Sequence, residues 1–112
     1  MAEPRRGGYR LGRTDPFGVS DPDLLSKYLR VTREALARVG PAPPSRSFLA
    51  TAADDVLQMA RAYLADAEHF ERSGDRERAL AAVSYAHGWI DAGVRLGLLD
   101  GGDDDSRFTL YR

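Results

Sequence analysis

Residues 84–93, SYAHGWIDAG, contain the three residue types of a hydrolytic triad: a serine, a histidine and an aspartate. Ser84, His87 and Asp91 are three and four residues apart, which places their side chains on one face of a helix. A triad also needs a histidine that bridges nucleophile and acid, and free backbone donors for an oxyanion. The interior N–H groups of a continuous helix are already hydrogen-bonded. We therefore expect a packed helix here and no catalytic site.

A His87–Asp91 pair is a smaller chemical alternative, because a neighbouring carboxylate favours the protonated imidazole and could prepare a general acid or base, for example in an enzyme acting on a nucleotide. The simpler interpretation, which we favour, is an ordinary surface pair worth a few tenths of a kcal/mol. The other histidine, His69, falls on the preceding helix at a different distance from the connecting loop. No third ligand is in view, so we predict neither a metal site nor a cofactor.

Three amphipathic segments predict the elements that hold these residues. The first helix is expected over about residues 21–39, with the capping sequence SDPD (residues 20–23) at its start and Gly40-Pro41 after its end. The second begins at Ser47 or Thr51 and continues to Ser73-Gly74, and the third begins at the N-cap Asp75. The expected buried stripe of the third helix, bordered by Trp89 and Leu96, consists of Ala79, Ala82, Val83, Ala86, Ile90, Gly93 and Gly97.

The short connection at Ser73-Gly74 forces the second and third helices into an antiparallel hairpin. The predicted class is therefore all-α: an antiparallel three-helix bundle made of this long hairpin and the first helix. We assign residues 1–20 to an arm rich in arginine and glycine, 21–100 to the bundle, and 101–112 to an acidic linker and C-terminal tail. Gly93 and Gly97 are interpreted as a tight helix contact within the bundle.

The N-terminal arm carries Arg5, Arg6, Arg10 and Arg13, with Glu3 as the only opposing charge before Asp15. Such an arm could bind phosphates and stack on RNA bases, or it could be a disordered, solubilising terminus. The acidic run at residues 103–105 lacks the ligand pattern of a calcium loop and is interpreted as a solvated linker. Residues 107–112 alternate in polarity, which is compatible with a short strand or a docking tail.

The composition narrows the function classes. A net charge of -1 argues against a generally basic nucleic-acid binder, and the absence of cysteine excludes disulfides and thiolate chemistry. The start of the chain has no apolar signal region, and no apolar run is long enough to span a bilayer. We expect a soluble cytoplasmic protein that does not contact a membrane. About eighty residues form only a marginal core, so a partner or self-association would help.

The stretch YLADAEHFERSGDRERALAAVSYAHGWIDAGVRLGLLD, residues 63–100, resembles a small archaeal family labelled domain of unknown function 357 (DUF357). The similarity is strongest around ALAAVSYAHGWIDAGVRLGL, extends back to KYLRVTREAL and covers about residues 24–100. The resemblance implies a spectrin-repeat-like bundle of three helices in an archaeal cytoplasmic protein. It implies no activity and supplies no functional residues.

These observations favour a non-enzymatic interaction module, an adaptor or accessory subunit with a protein partner. Tyr85, His87, Trp89 and Asp91 form the predicted recognition face, because amphipathic aromatic side chains bind partners well when they are not fully buried. The alternative is an RNA-associated or ribonucleoprotein-associated factor that uses the arginine arm. Homodimerisation is compatible with either hypothesis.

Overall fold

The computed structural model describes residues 23–102, which form three helices and two very short strands. The elements are α1 (Leu24–Arg38), β1 (Gly40–Pro41), α2 (Phe48–Arg72), α3 (Arg76–Arg95) and β2 (Leu99–Asp100). The predicted all-α class is confirmed. The arginine arm and the C-terminal residues 103–112 lie outside the described residues, together with the predictions made for them.

Helix α1 begins at Leu24, three residues later than predicted, and ends at Arg38. It ends there because Val39 takes an extended conformation ahead of Gly40-Pro41. Its buried face has the spacing of an amphipathic helix and consists of Leu25, Tyr28, Leu29, Thr32 and Ala35.

Capping residues fix the α2–α3 hairpin. Ser47, rather than Thr51, is the N-cap of α2 and accepts a hydrogen bond from Ala50 N at 3.2 Å. Asp75 caps α3 as predicted, accepting from Arg78 N at 3.1 Å. Between the helices, Gly74 has a φ of +82°, which only glycine adopts at low cost.

The two helices of the hairpin run antiparallel along their length. Tyr63 on α2 and Tyr85 on α3 are each eleven residues from Gly74, and their rings stack with centroids 5.1 Å apart. Further from the turn, the side chain of Val56 lies against the backbone of Gly93. Helix α1 packs against the same side of both α2 and α3, which completes the bundle. Among the described elements, no helix lies on the other side of the hairpin.

The core depends on closely spaced helices more than on large side chains. Eight of the fifteen buried apolar residues described are alanines. Leu29, Ile90 and Val83 are the largest fully buried aliphatic side chains, and each belongs to a cluster that also contains alanine. A core of this composition buries little apolar area per residue, so the few large side chains contribute most of the hydrophobic stabilisation.

A two-stranded pairing that the sequence did not predict closes one end of the bundle. Gly40 pairs with Asp100 and Pro41 with Leu99 in antiparallel register, and Ala42 N donates to Leu98 O at 3.0 Å. The pairing connects the chain just after α1 to the chain just after α3. It also places the Leu99 side chain, 3% exposed, in the core beside α2 and α3.

Gly93 and Gly97, predicted to share one contact, have different roles. Gly93 is buried, and a Cβ there would lie 2.6 Å from Leu99 Cδ1, so the prediction of a close approach is confirmed at this position. Gly97 is exposed and has a φ of +79°. It follows the helix end, where Leu98 N donates to Gly93 O at 2.9 Å, so its inclusion in the buried stripe was wrong.

Candidate functional site

The structure does not bring Ser84, His87 and Asp91 together. The Ser84 hydroxyl donates to the carbonyl oxygen of Leu80 at 2.9 Å, within its own helix. Asp91 accepts a hydrogen bond from Arg95 Nε at 3.0 Å. His87 Nδ1 lies 3.2 Å from the hydroxyl oxygen of Thr32 on α1. Each of the three side chains therefore has a different partner, and none of these contacts joins a nucleophile, a base and an acid.

The expectation that His87 faces solvent beside Asp91 was wrong. The side chain is 2% exposed and points towards α1, where Thr32 is fully buried. The reason is packing. His87 lies between Val83 and Ile90 on the side of α3 that faces the core, and α1 covers that side. Thr32 could have indicated that His87 is buried, because a polar residue on the buried face of α1 needs a hydrogen-bonding partner across the core.

Replacement of Thr32 by valine tests the buried contact with His87. We expect Thr32→Val to lower the free energy of unfolding by about 1 kcal/mol, because valine keeps the shape of the side chain but removes the hydroxyl. Chemical denaturation followed by circular dichroism measures the change. The control is Thr51→Val, at an exposed position of α2, with an expected change within about 0.5 kcal/mol. Equal changes in both variants would show that the buried contact adds nothing.

The surface of the described residues has an open apolar groove of about 630 Å³ on the side of α3 that faces away from the core. Tyr85 is 62% exposed and Trp89 is 36% exposed. Apart from the two aromatic residues, Ser84 is the only lining residue with a polar side chain. Its hydroxyl is hydrogen-bonded within its own helix. The lining residues are Ala81, Ser84, Tyr85, Gly88, Trp89 and Ala92.

The groove belongs to a larger apolar surface on the hairpin. The stacked pair of Tyr63 and Tyr85 continues it onto α2, where Met59 is 37% exposed, and Leu96 extends it at the end of α3. We call this surface the outer face. The described α1 has no large apolar side chain that is exposed to solvent. The outer face consists of Met59 and Tyr63 on α2, the six groove residues on α3, and Leu96. By helical spacing Ala52, seven residues before Met59, is on the same side of α2.

Few charges interrupt the outer face along α3. Between Ala79 and Val94 the only acidic or basic residue besides His87 is Asp91, and its carboxylate is paired with Arg95. Surfaces that bind other proteins are depleted in charge at their centre and enriched in tyrosine and tryptophan. The outer face therefore has the composition of a protein interface.

Gly88 was missed by the sequence interpretation. It lies in the middle of α3, where glycine destabilises a helix by about 1 kcal/mol relative to alanine. A Cβ at this position would have no atom of the described residues within 4 Å, so packing within the bundle gives no reason for glycine. Of the four predicted recognition residues, Tyr85 and Trp89 line the groove, Asp91 is paired with Arg95, and His87 is in the core.

The geometry of the described residues also bears on metal binding and on membrane insertion. Within residues 23–102, no cluster of three or more histidine, aspartate or glutamate side chains could coordinate a metal ion. Over the same residues, no helix combines the length and apolar character needed to cross a membrane.

Fold and surface together define a class of small all-α three-helix bundles with an open apolar face. The chain belongs to the family described as "Protein of unknown function (DUF357)", whose model matches residues 27–99. No curated protein and no solved structure gave a significant match.

Proposed function

We propose that the protein is a non-enzymatic interaction module, an adaptor or accessory subunit, that binds a protein partner through its outer face. The observation that carries the proposal is the apolar groove beside Tyr85 and Trp89, on a side of α3 that no other element within residues 23–102 covers. Exposed aromatic side chains beside small residues form a ridge and a depression, the shape that a partner helix or loop can fill. The partners already held by Ser84, His87 and Asp91 support a role that does not involve catalysis.

The experiment compares capture of partners by the tagged full-length chain and by Tyr85→Ala. We expect the amount of a specifically bound protein to fall at least about ten-fold in the variant, because an aromatic hot-spot residue at the centre of an interface typically contributes about 2 kcal/mol or more. Tyr85 is a better test than Trp89, which is more buried and also supports the fold. The control is Phe48→Ala, an aromatic residue that is 89% exposed and outside the groove.

The salt dependence of the same capture separates the two hypotheses. A protein partner held by apolar contacts remains bound at high salt, whereas RNA held by arginines is released as salt increases. RNA recovered only at low salt, equally by wild type and Tyr85→Ala, would contradict the proposed role of the outer face. It would favour the alternative proposal, in which Arg5, Arg6, Arg10 and Arg13 bind RNA and the bundle carries the arm.

A further inference from the structure

We propose that the partner on the outer face is a second copy of this chain, with the two α3 helices packed antiparallel around a two-fold axis between Gly88 and Trp89. This inference rests on the proposed function, because it names the occupant of the same surface. The dimer would place the outer faces of two hairpins against each other, with each α1 on the far side.

The order of large and small residues along α3 carries the inference. The two-fold axis makes the second α3 run in the opposite direction, so the order of its residues is reversed. Every large side chain on the α3 part of the outer face then lies at the same height along the helix as a small residue of the other copy. A partner of unrelated sequence would not require this symmetrical order. The pairs at equal levels are Ala81 with Leu96, Tyr85 with Ala92, and Gly88 with Trp89.

Gly88 has a physical role in this arrangement. It lies next to the two-fold axis, where the backbones of the two α3 helices come closest, and the absence of a Cβ allows that approach. Within residues 23–102 of one chain a Cβ at Gly88 would meet nothing within 4 Å, so contacts inside this part of the monomer do not require glycine. Trp89, already 64% covered by its own chain, would be covered further by the partner's helix at the level of Gly88.

The size of the outer face fits a second hairpin better than a single segment. Helix α3 has 20 residues and is therefore about 30 Å long, and two adjacent helices are about 20 Å wide. This gives roughly 600 Å² for each copy and about 1,200 Å² for both, the lower end of specific interfaces. One docked helix or the C-terminal tail would cover a strip only about 10 Å wide. The alanine-rich core gives a reason for the additional burial.

The first test measures the molar mass of the full-length chain by light scattering during gel filtration at high micromolar concentration. We expect wild type to have about twice the chain mass of 12.3 kDa and Gly88→Arg to have the single-chain mass. Arginine at position 88 has room in the monomer and favours a helix more than glycine does, so helicity by circular dichroism should be unchanged. The matched control, Ala37→Arg on the exposed side of α1, should remain dimeric.

The second test determines the register with cysteines introduced singly into a chain that has none. Met59 lies at the level of Trp89, since each is four residues further from the turn than the stacked pair Tyr63 and Tyr85. Met59→Cys should therefore form a disulfide between copies under oxidation. Ala52→Cys should not, because its two copies would be about 20 Å apart along the axis. Crosslinking of Ala52→Cys without Met59→Cys would overturn the proposed arrangement.

The outcomes distinguish this inference from the proposed function. A monomeric wild type, or a dimer that persists in Gly88→Arg, would overturn the second copy as the occupant. The interaction function would still stand if Tyr85→Ala lost a different captured protein. A wild-type dimer that becomes monomeric in Gly88→Arg, with unchanged helicity and with Ala37→Arg still dimeric, supports the inference.

Discussion

Leu29→Ala is expected to lower the free energy of unfolding by about 3 kcal/mol, the largest effect that we predict for a single substitution. Leu29 is 1% exposed and connects α1 to the hairpin within a cluster that includes Val83 and three alanines. Alanine side chains cannot extend to fill the space that the lost leucine atoms leave. The cavity would therefore add to the lost transfer free energy of those atoms.

Urea denaturation of Leu29→Ala, followed by circular dichroism, measures this loss. Leu49→Ala is the matched control, because Leu49 is 53% exposed and the expected change is below about 1 kcal/mol. All variants must be compared at one protein concentration, since self-association would add to the apparent stability. Similar losses for both leucines would contradict the assignment of Leu29 to the centre of the core.

The helices could be predicted from the sequence because their signals are local. Asp75 caps a helix through the N–H group of a residue three positions later, and Gly74 ends one through its own backbone conformation. Neither depends on distant parts of the chain. The antiparallel hairpin followed from the short connection between the two helices, and the apolar stripe of α1 from helical spacing alone.

The features that the sequence did not predict depend on contacts between distant residues. Two-residue strands have no alternating pattern, so nothing in Gly40–Pro41 indicated its pairing with Leu99–Asp100. The side chain of His87 is polar, and only the position of α1 shows that it faces Thr32 and not water.

The candidate surface could be predicted only in part for the same reason. Tyr85 and Trp89 were identified by residue type, and both line the groove. Their importance depends on which side of the hairpin α1 covers, and helical spacing does not specify that side. Gly88 becomes informative only when its surroundings are known, because glycine in a helix can be explained by a contact within the chain or by one with a partner.

Gly93 contrasts with Gly88, because contacts within the chain explain why glycine is required at position 93. We expect Gly93→Ala to lower the free energy of unfolding by about 1 to 2 kcal/mol. A Cβ at this position would lie 2.6 Å from Leu99 Cδ1, 2.8 Å from Leu99 Cγ and 3.0 Å from Val56 Cγ1. Overpacking of a core costs roughly 1 to 3 kcal/mol, and contacts this short place Gly93 in the upper part of that range. The loss therefore exceeds the gain of about 1 kcal/mol in helix propensity.

A double-mutant cycle with Leu99→Ala identifies the cause of that loss. Leu99→Ala alone should be destabilising, because the side chain is 3% exposed in a cluster with Ala53 and Leu57. In that background Gly93→Ala should become neutral or stabilising, since the two closest atoms of Leu99 are gone and alanine favours the helix. Thermal or urea unfolding of the four proteins measures the coupling energy. The same loss in both backgrounds would show that the glycine is not required by the chain segment that β2 brings back against α3.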